Sequence, residues 1–245
     1  MTTRLALAIA LGLPAAVGAQ GPIPAESRQL VVVVTTGWTA TRGTLHQFAR
    51  AGTEAPWSRV GAGVPVVVGR AGLGWGRGLH GRAGAGPVKS EGDGRAPAGV
   101  FALTAGFGYA PADSVDTGLP YVRATRDVEC VDDSESTQYN RIVDRTEVVP
   151  DWSSHEEMRR GDILYRRGVV VDHNASPTVA GGGSCIFIHV WRGPDSTTSG
   201  CTAMAEDELA TAMAWLTADA APLLVQLPAA EYARLRRSWG LPSLR

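Results

Sequence analysis

Short runs of apolar and β-branched residues, bounded by glycine, proline or polar positions, recur along the chain. Five of them are QLVVVVTT (residues 29–36), VPVVVGR (64–70), GVFALTAGFGY (99–109), GDILYRRGVVVDH (161–173) and SCIFIHVW (184–191). β-Branched residues favour strands, and the glycines between the runs suit tight turns and bulges. The pattern predicts a mainly β fold with a few short helices.

A different spacing predicts one clear helix at residues 206–219. In EDELATAMAWLTAD the apolar residues Leu209, Met213 and Leu216 recur at three-to-four-residue intervals, so they share one helical face. Acidic residues fill the first turn, where the positive end of the helix dipole favours negative charge. The stretch SSHEEMRR (residues 153–160) is a candidate for a second, shorter helix.

The N-terminal residues have the pattern of a secretory signal. Arg4 precedes an apolar run, and small residues at 17–19 suit signal-peptidase cleavage. We expect residues 1–19 to be removed, leaving 20–245 as a single exported domain in the periplasm or cell envelope. The alternative is an uncleaved anchor, but the apolar run is short for a membrane span. No later segment is apolar over the required length, so no span is expected in the mature chain.

Charge and cysteine content narrow the function classes. The chain has 23 basic and 24 acidic residues, and loss of Arg4 leaves 22 against 24, a net charge of −2. This balance provides no basic surface for nucleic acid, so nucleic-acid binding is not expected. The cysteines are Cys130, Cys185 and Cys201. In an exported protein an odd number leaves one thiol that is either reactive or paired with another chain.

The run SCIFIHVW places a histidine within an apolar strand. Side chains alternate between the two faces of a strand, so Ile186, Ile188 and Val190 form one face, the core face. The other face carries Cys185, Phe187, His189 and Trp191. That mixed face suits the wall of a cleft. The polar, glycine-containing loop that follows is long enough to return Cys201 to the strand.

A cysteine beside a histidine is a nucleophile with a base. A free thiol has a pKa of about 8.5, and an imidazole, with a pKa of about 6.5, can accept its proton and hold the thiolate as an ion pair. Gly200 leaves space for the backbone N–H groups of Gly200 and Cys201 to form an oxyanion hole. The residues alone leave an alternative open: His189 is a core histidine and Cys201 an inert thiol.

Four stretches in the same order resemble the YkuD-type L,D-transpeptidases, cysteine enzymes that cross-link bacterial peptidoglycan. They are KSEGDGRAPAGVF (89–101), FGYA (107–110), CVDDSESTQYNRIVD (130–144) and GSCIFIHVWRGPDSTTSGCTAM (183–204), within a motif-bearing core at about 89–216. The resemblance implies a β-sandwich-like catalytic domain with Cys201 as nucleophile and His189 as base. It also implies peptidoglycan stem peptides as partners and no cofactor.

The sequence departs from the commoner family motif Ser-His-Gly-Cys-Ile-Arg. Thr198 takes the serine position, Ser199 the histidine position and Ala203 the arginine position. An arginine that binds the substrate carboxylate must therefore come from elsewhere, and Arg192 is the nearest candidate in sequence. The separation of base and nucleophile is also shorter than in many members of the family.

Further residues in the matching stretches are candidates for substrate binding. Thr198, Ser199, Tyr139 and Asn140 are candidates to line the cleft, with Asp132 and Asp133 beside them in sequence. For residues 132–140 the alternative is that they cap and pin a loop. His173 is a second candidate base or the end of a strand. His155 lacks the second histidine of the zinc motif H-E-x-x-H, so no metal site is predicted.

The resemblance also bears on the disulfide. If Cys201 is the nucleophile and stays reduced, Cys130 and Cys185 remain to pair. On an extended strand Cys185 lies about 13 Å from His189, whereas Cys201 must lie close to His189 to be activated. A disulfide needs Cα atoms within about 7 Å, so Cys201 is a poor partner for Cys185. The alternative is that Cys130 and Cys185 are buried free thiols.

The sequence therefore predicts an exported cysteine acyltransferase that forms L,D cross-links through a thioester. A water acceptor would make it an L,D-carboxypeptidase or a hydrolase of cross-links or protein–glycan bonds on the same fold. A noncatalytic envelope-binding protein that kept the fold is the alternative of a different class.

Overall fold

A computed structural model describes residues 21–81 and 84–244, so the expected leader at 1–19 lies outside the described residues. The strands are β1 (Gln29–Thr35), β2 (Arg42–Ala49), β3 (Ser58–Val67), β4 (Leu73–Trp75), β5 (Ala96–Gly108), β6 (Tyr121–Arg123), β7 (Val128–Val131), β8 (Ile142–Asp144), β9 (His155–Glu157), β10 (Arg167–Val171), β11 (Phe187–Val190), β12 (Thr202–Met204) and β13 (Leu223–Pro228). The α-helices are α1 (Glu206–Trp215) and α2 (Ala229–Leu235). Short 3₁₀ turns lie at Ala112–Ser114 and Ala218–Ala220.

The main sheet closes on itself. Its neighbours follow the order β10-β11-β12-β3-β2-β1-β13-β5, and β5 pairs back with β10. The pairs β1–β13 and β11–β12 are parallel, and β4 and β6 add to β5. The prediction of a mainly β fold is confirmed. None of the described helices has the length and apolar character needed to cross a bilayer.

The valine run of β1 is buried almost throughout rather than on alternate residues. β1 lies between β2 and β13 in the sheet, and α2 packs against both β1 and β13. A strand covered on both faces reads as a continuous apolar run. The interior of the sheet and the faces of α1 and α2 form one large core.

A second apolar cluster lies on the other side of β11. It contains Phe107, Tyr165 and Phe187, whose rings meet edge to face, together with all three cysteines. The alternation predicted for β11 is therefore present, with Ile186, Ile188 and Val190 in the large core. The face that carries His189 is more enclosed than predicted, because the second cluster covers much of it.

A small three-stranded sheet, in the order β8-β7-β9, is linked to the main sheet by a disulfide. Cys130 on β7 is bonded to Cys185, just before β11, with a Cα–Cα distance of 5.9 Å. This is the pairing predicted from the sequence, and Cys201 is left free. The bond joins segments 55 residues apart.

Three predicted boundaries need correction. The suggested short helix at 153–160 is wrong: residues 155–157 form β9, because pairing with β7 provides backbone partners that an isolated helical turn lacks. Helix α1 ends at Trp215 rather than 219, since Leu216 adopts an extended conformation. Of the run at 161–173, only β10 is a strand.

We predict that removing the disulfide lowers the free energy of unfolding by about 4 kcal/mol, because a loop of this length loses that much closure entropy in the chain-entropy model. The double variant Cys130→Ala/Cys185→Ala should show this loss in equilibrium urea unfolding. Thiol counting on the unreduced protein should find one thiol, mapped to Cys201. Three thiols in the folded, unreduced protein would contradict the pairing.

Candidate active site

The predicted base lies on β11, and the predicted nucleophile immediately precedes the neighbouring parallel strand β12. β11 pairs with β12 in the register Ile188 to Thr202 and His189 to Ala203. Because side chains alternate along each strand, Cys201 and Ala203 project to the same side as His189. Cys201 lies two positions before the residue opposite His189, about 7 Å along the strand direction. The strand register therefore places both side chains on one face.

Cys201 is buried against the backbone of the neighbouring strand. Its Sγ accepts a hydrogen bond from the Phe187 N–H at 3.3 Å, and its S–H donates to the Cys185 carbonyl oxygen at 3.5 Å. Among the described residues, no hydrogen bond joins Sγ to the His189 ring. In this resting arrangement the thiol must turn away from the Cys185 carbonyl to reach the imidazole.

His189 is held in one orientation and one tautomer. Its Nδ1 lies 2.8 Å from the Val190 carbonyl oxygen, which can only accept a hydrogen bond. Nδ1 therefore carries the proton, and the Nε2 lone pair is available as an acceptor. The Tyr165 ring packs edge to face against the imidazole, with centroids 5.3 Å apart.

Cys201 and His189 line a common cavity of about 740 Å³, within the range of small-molecule and cofactor sites. Its walls come from the loop at 196–200, from β9 and from residues 160–165. Lys89, Glu91 and Gly92 also line it. Segments distant in sequence thus surround the thiol.

Three carboxylates on the cavity wall accept hydrogen bonds from hydroxyl groups. The pairs are Glu91 with Ser184, Asp132 with Ser154, and Glu156 with Tyr165. Within the described part of the chain, none of the three forms an ion pair with a basic side chain. This part of the wall is therefore acidic, and burial raises the pKa of Glu156 above its usual range.

The electrostatics favour neutral forms of both catalytic candidates. Burial raises the pKa of the Cys201 thiol well above its usual range, and the charge of Glu156 raises it further. The Phe187 N–H and the charge of Lys89 act in the opposite direction. Burial lowers the pKa of His189 to about 4. The resting pair at neutral pH is a thiol and a neutral imidazole, which corrects the expectation of a resting ion pair.

Three predicted substrate-binding residues, Thr198, Ser199 and Arg192, line the cavity. Thr198 is also part of the turn before the nucleophile: its Oγ1 accepts from the Gly200 N–H at 3.2 Å and donates to the Cys201 carbonyl at 2.6 Å. The predicted oxyanion hole is therefore half occupied. The Cys201 N–H has no hydrogen-bond partner among the described residues.

Tyr139 and Asn140 do not line the cavity. The Tyr139 hydroxyl accepts from the Gly183 N–H at 3.1 Å, and the Asn140 Oδ1 accepts from the Cys185 N–H at 3.0 Å. Both side chains pin the loop that precedes β11. This corrects their prediction as cleft residues and favours the alternative of loop anchoring.

His173 is not placed to act as a base. Its Nδ1 accepts from the Arg77 N–H at 3.2 Å, so Nε2 carries the proton that reaches the Gly182 carbonyl at 3.1 Å. His155 lies at the cavity rim, with Nε2 3.4 Å from Glu129. Over the described ranges, no group of three or more candidate side chains is arranged to hold a metal ion.

Sequence reasoning missed three residues that surround the thiol: Lys89, Glu156 and Tyr165. Glu156 lay within a stretch predicted as helix, and Tyr165 within one predicted as strand. Lys89 had a visible signal, since it is the only lysine in the chain and begins a stretch that resembles the transpeptidases.

Comparison of the chain with protein-family models, with curated proteins and with solved structures finds no match. The likeness to L,D-transpeptidases rests on the four sequence stretches, and the geometry of the cavity is a separate observation. A function drawn from the two together is a proposal.

We predict that alkylation of Cys201 by iodoacetamide is slower at pH 7.5 than that of an exposed cysteine. Only the thiolate reacts, and a raised pKa leaves less thiolate at a given pH. The rate should keep rising above pH 9. A midpoint at or below about 8.5 would contradict the assigned electrostatics.

We also predict that Glu156→Gln lowers the midpoint of this alkylation profile. The amide keeps an acceptor for the Tyr165 hydroxyl but removes the negative charge that opposes thiolate formation. Because the rate below the midpoint is proportional to the thiolate fraction, the ratio of variant to wild-type rates at fixed pH between 8 and 10.5 gives the shift of the midpoint. Glu208→Gln, an exposed change on α1, is the matched control and should leave it unchanged.

Proposed function

We propose that the chain is an exported L,D-transpeptidase, a cysteine acyltransferase that acts on peptidoglycan stem peptides. The observation that carries the proposal is a single free thiol in a large cavity, on the same strand face as a histidine whose Nε2 is available as an acceptor. The proposal includes cleavage after residue 19 and one catalytic domain, with the β-sandwich-like layering implied by the resemblance.

The first chemical step would form a thioester. The Cys201 thiol turns from the Cys185 carbonyl toward His189, and Nε2 takes its proton as sulfur attacks the carbonyl carbon between the L-centre of a diamino acid and D-Ala. The C=O π electrons move to oxygen. When the C=O bond re-forms, the C–N bond breaks and the D-Ala amine leaves with the proton from His189.

The resting protonation states suit this order of events. A neutral imidazole is the form that accepts a proton, and a pKa near 4 keeps His189 neutral throughout the physiological range. The high thiol pKa means that proton transfer accompanies attack instead of preceding it. Substrate entry also displaces solvent from the cavity, which strengthens the electrostatic interactions around the reacting atoms.

The acceptor in the second step determines whether the enzyme acts as a transpeptidase or as a carboxypeptidase. An amine of a second stem peptide attacks the thioester carbonyl, the C–S bond breaks, and sulfur regains a proton from His189 once the attacking amine has lost one to it. With the amine the product is an L,D cross-link; with water it is a shortened stem. With no arginine at position 203, Arg192, which lines the cavity with its side chain 68% exposed, is our candidate for binding the substrate carboxylate.

The proposal predicts that Cys201→Ala abolishes thioester formation and retains the fold, since only a sulfur atom is removed. Intact mass after incubation with a carbapenem should show an adduct on the wild type and none on the variant. Muropeptide analysis of purified enzyme with stem tetrapeptides then distinguishes dimers, trimmed stems and no reaction. Unchanged turnover by Cys201→Ala would exclude this nucleophile, and a wild type that binds peptidoglycan without reaction would favour the noncatalytic alternative.

His189→Ala should slow acylation at pH 7 by about a hundredfold to ten-thousandfold, the usual value of general-base assistance. Raising the pH should recover part of the loss, because direct ionisation of the thiol replaces the missing base. Stopped-flow acylation rates between pH 6 and 10 measure both effects. His46→Ala on β2, outside the cavity lining, is the control. Equal rates for His189→Ala and wild type at pH 7 would place the base elsewhere.

A further inference from the structure

The only lysine of the chain is buried beside the candidate nucleophile. The Lys89 side chain is 3% exposed and lines the cavity that holds Cys201. Its Nζ lies 3.8 Å from the position that a Cβ on Gly200 would occupy, and Gly200 precedes Cys201. Lysine is rarely buried so completely, and when it is, it is paired, so its position at this turn calls for a physical explanation.

Two hydrogen bonds hold the Lys89 ammonium in place. Nζ donates to Asp93 Oδ1 at 2.8 Å and to the Ser90 carbonyl at 2.7 Å. Asp93 is fixed in turn by the N–H groups of Ser90 and Arg95, both at 2.9 Å. An ammonium has three donors, and the third has no partner among the described residues. The Lys89 ammonium therefore provides a fixed charge and one unused hydrogen-bond donor at the cavity wall.

The site needs such a charge. Negative charge develops on Sγ as Cys201 loses its proton during attack, and the charge of Glu156 opposes that change. One of the two predicted oxyanion donors, the Gly200 N–H, is bonded to Thr198. The Phe187 N–H is the one backbone donor that reaches Sγ among the described residues.

Among the charged groups near Cys201, two cations favour its ionisation, Lys89 and Arg160. Arg160 is 31% exposed and donates two hydrogen bonds to Asp162, at 3.0 and 3.2 Å. Solvent and dissolved ions screen an exposed charge far more than a buried one. Lys89, though also paired, therefore acts on the sulfur with the stronger field.

We propose that Lys89 supplies the fixed positive charge that stabilises negative charge at Cys201, first on Sγ and then on the oxyanion of the tetrahedral intermediate. Its action on Sγ depends only on the position of the thiol, whereas its action on the oxyanion rests on the proposed function. Preorganised charge of this kind costs no reorganisation as the reaction proceeds. Lys89 is thus a positioning and electrostatic residue rather than a base.

The first test measures alkylation of Cys201 by iodoacetamide from pH 7 to 10.5, which requires no peptidoglycan substrate. Lys89→Met should raise the midpoint by about one pH unit, a tenfold slower rate at pH 8. Lys89→Arg should largely restore it, and Asp93→Asn should lower it because the ammonium then lacks its counter-charge. Arg126→Met, an exposed charge outside the cavity lining, should behave as wild type.

If Lys89→Met does not fold, as judged by circular dichroism, Lys89→Met/Asp93→Asn removes both members of the pair and leaves no buried unpaired charge. Its midpoint should lie above that of Asp93→Asn. Folded variants whose midpoints all match wild type would overturn the proposal, because a merely structural lysine predicts that result.

The second test uses the uniqueness of Lys89. Protein labelled with ¹⁵N-lysine contains one side-chain Nζ resonance, which can be followed through its Hε protons. The shift should change at the pH of the Cys201 alkylation midpoint, and this change should vanish in Cys201→Ala. A wild-type resonance that does not respond at that pH would overturn the proposal. Failure to cross-link stem peptides would refute the proposed function without affecting either readout.

Discussion

The parallel pairing of β11 with β12 is the constraint on which the candidate site depends. Parallel neighbours usually require a long crossover, often a helix, yet here residues 191–201 alone make the connection. The loop is anchored where Arg70 N–H donates to the Thr198 carbonyl at 2.9 Å and Thr198 N–H donates to the Val68 carbonyl at 3.1 Å. With the loop held at that point, strand register leaves Cys201 and His189 on one face.

Burial of Cys201 lowers the reactivity of its thiol and makes that reactivity more sensitive to nearby charges. The second apolar cluster and the disulfide enclose the thiol, which keeps it protonated and slow to react with small oxidants or electrophiles. The same enclosure removes the dielectric screening of water, so a few fixed charges have large effects. Glu156 and Lys89 have opposite effects on the pKa of Cys201: Glu156 raises it and Lys89 lowers it. The reactivity of Cys201 is then a property of its surroundings more than of its own side chain.

The elements that were predicted well are those whose pattern of apolar and polar residues directly reflects which side chains are buried. β1 carried a continuous β-branched run, β11 carried an apolar run with alternating faces, and α1 carried Leu209 and Met213 on one face. β9 was mistaken for a helix because a polar segment of three residues has no intrinsic period, and only its pairing with β7 makes it a strand. For the candidate site, the sequence identified the thiol and the imidazole because their residue types are visible in it.

By itself, the sequence determined the strand-rich character of the fold, the alternation that sends Ile188 and His189 to opposite faces of β11, and the odd cysteine. These follow from local composition and period. Only the tertiary structure decided the neighbours of Cys201, because Lys89, Glu156 and Tyr165 come from three distant segments. It also decided that Tyr139 and Asn140 anchor a loop, since both compete for backbone partners near Cys185. The tertiary structure also decided the protonation states of Cys201 and His189. These depend on burial and on nearby charges from the whole folded chain, which no local sequence pattern shows.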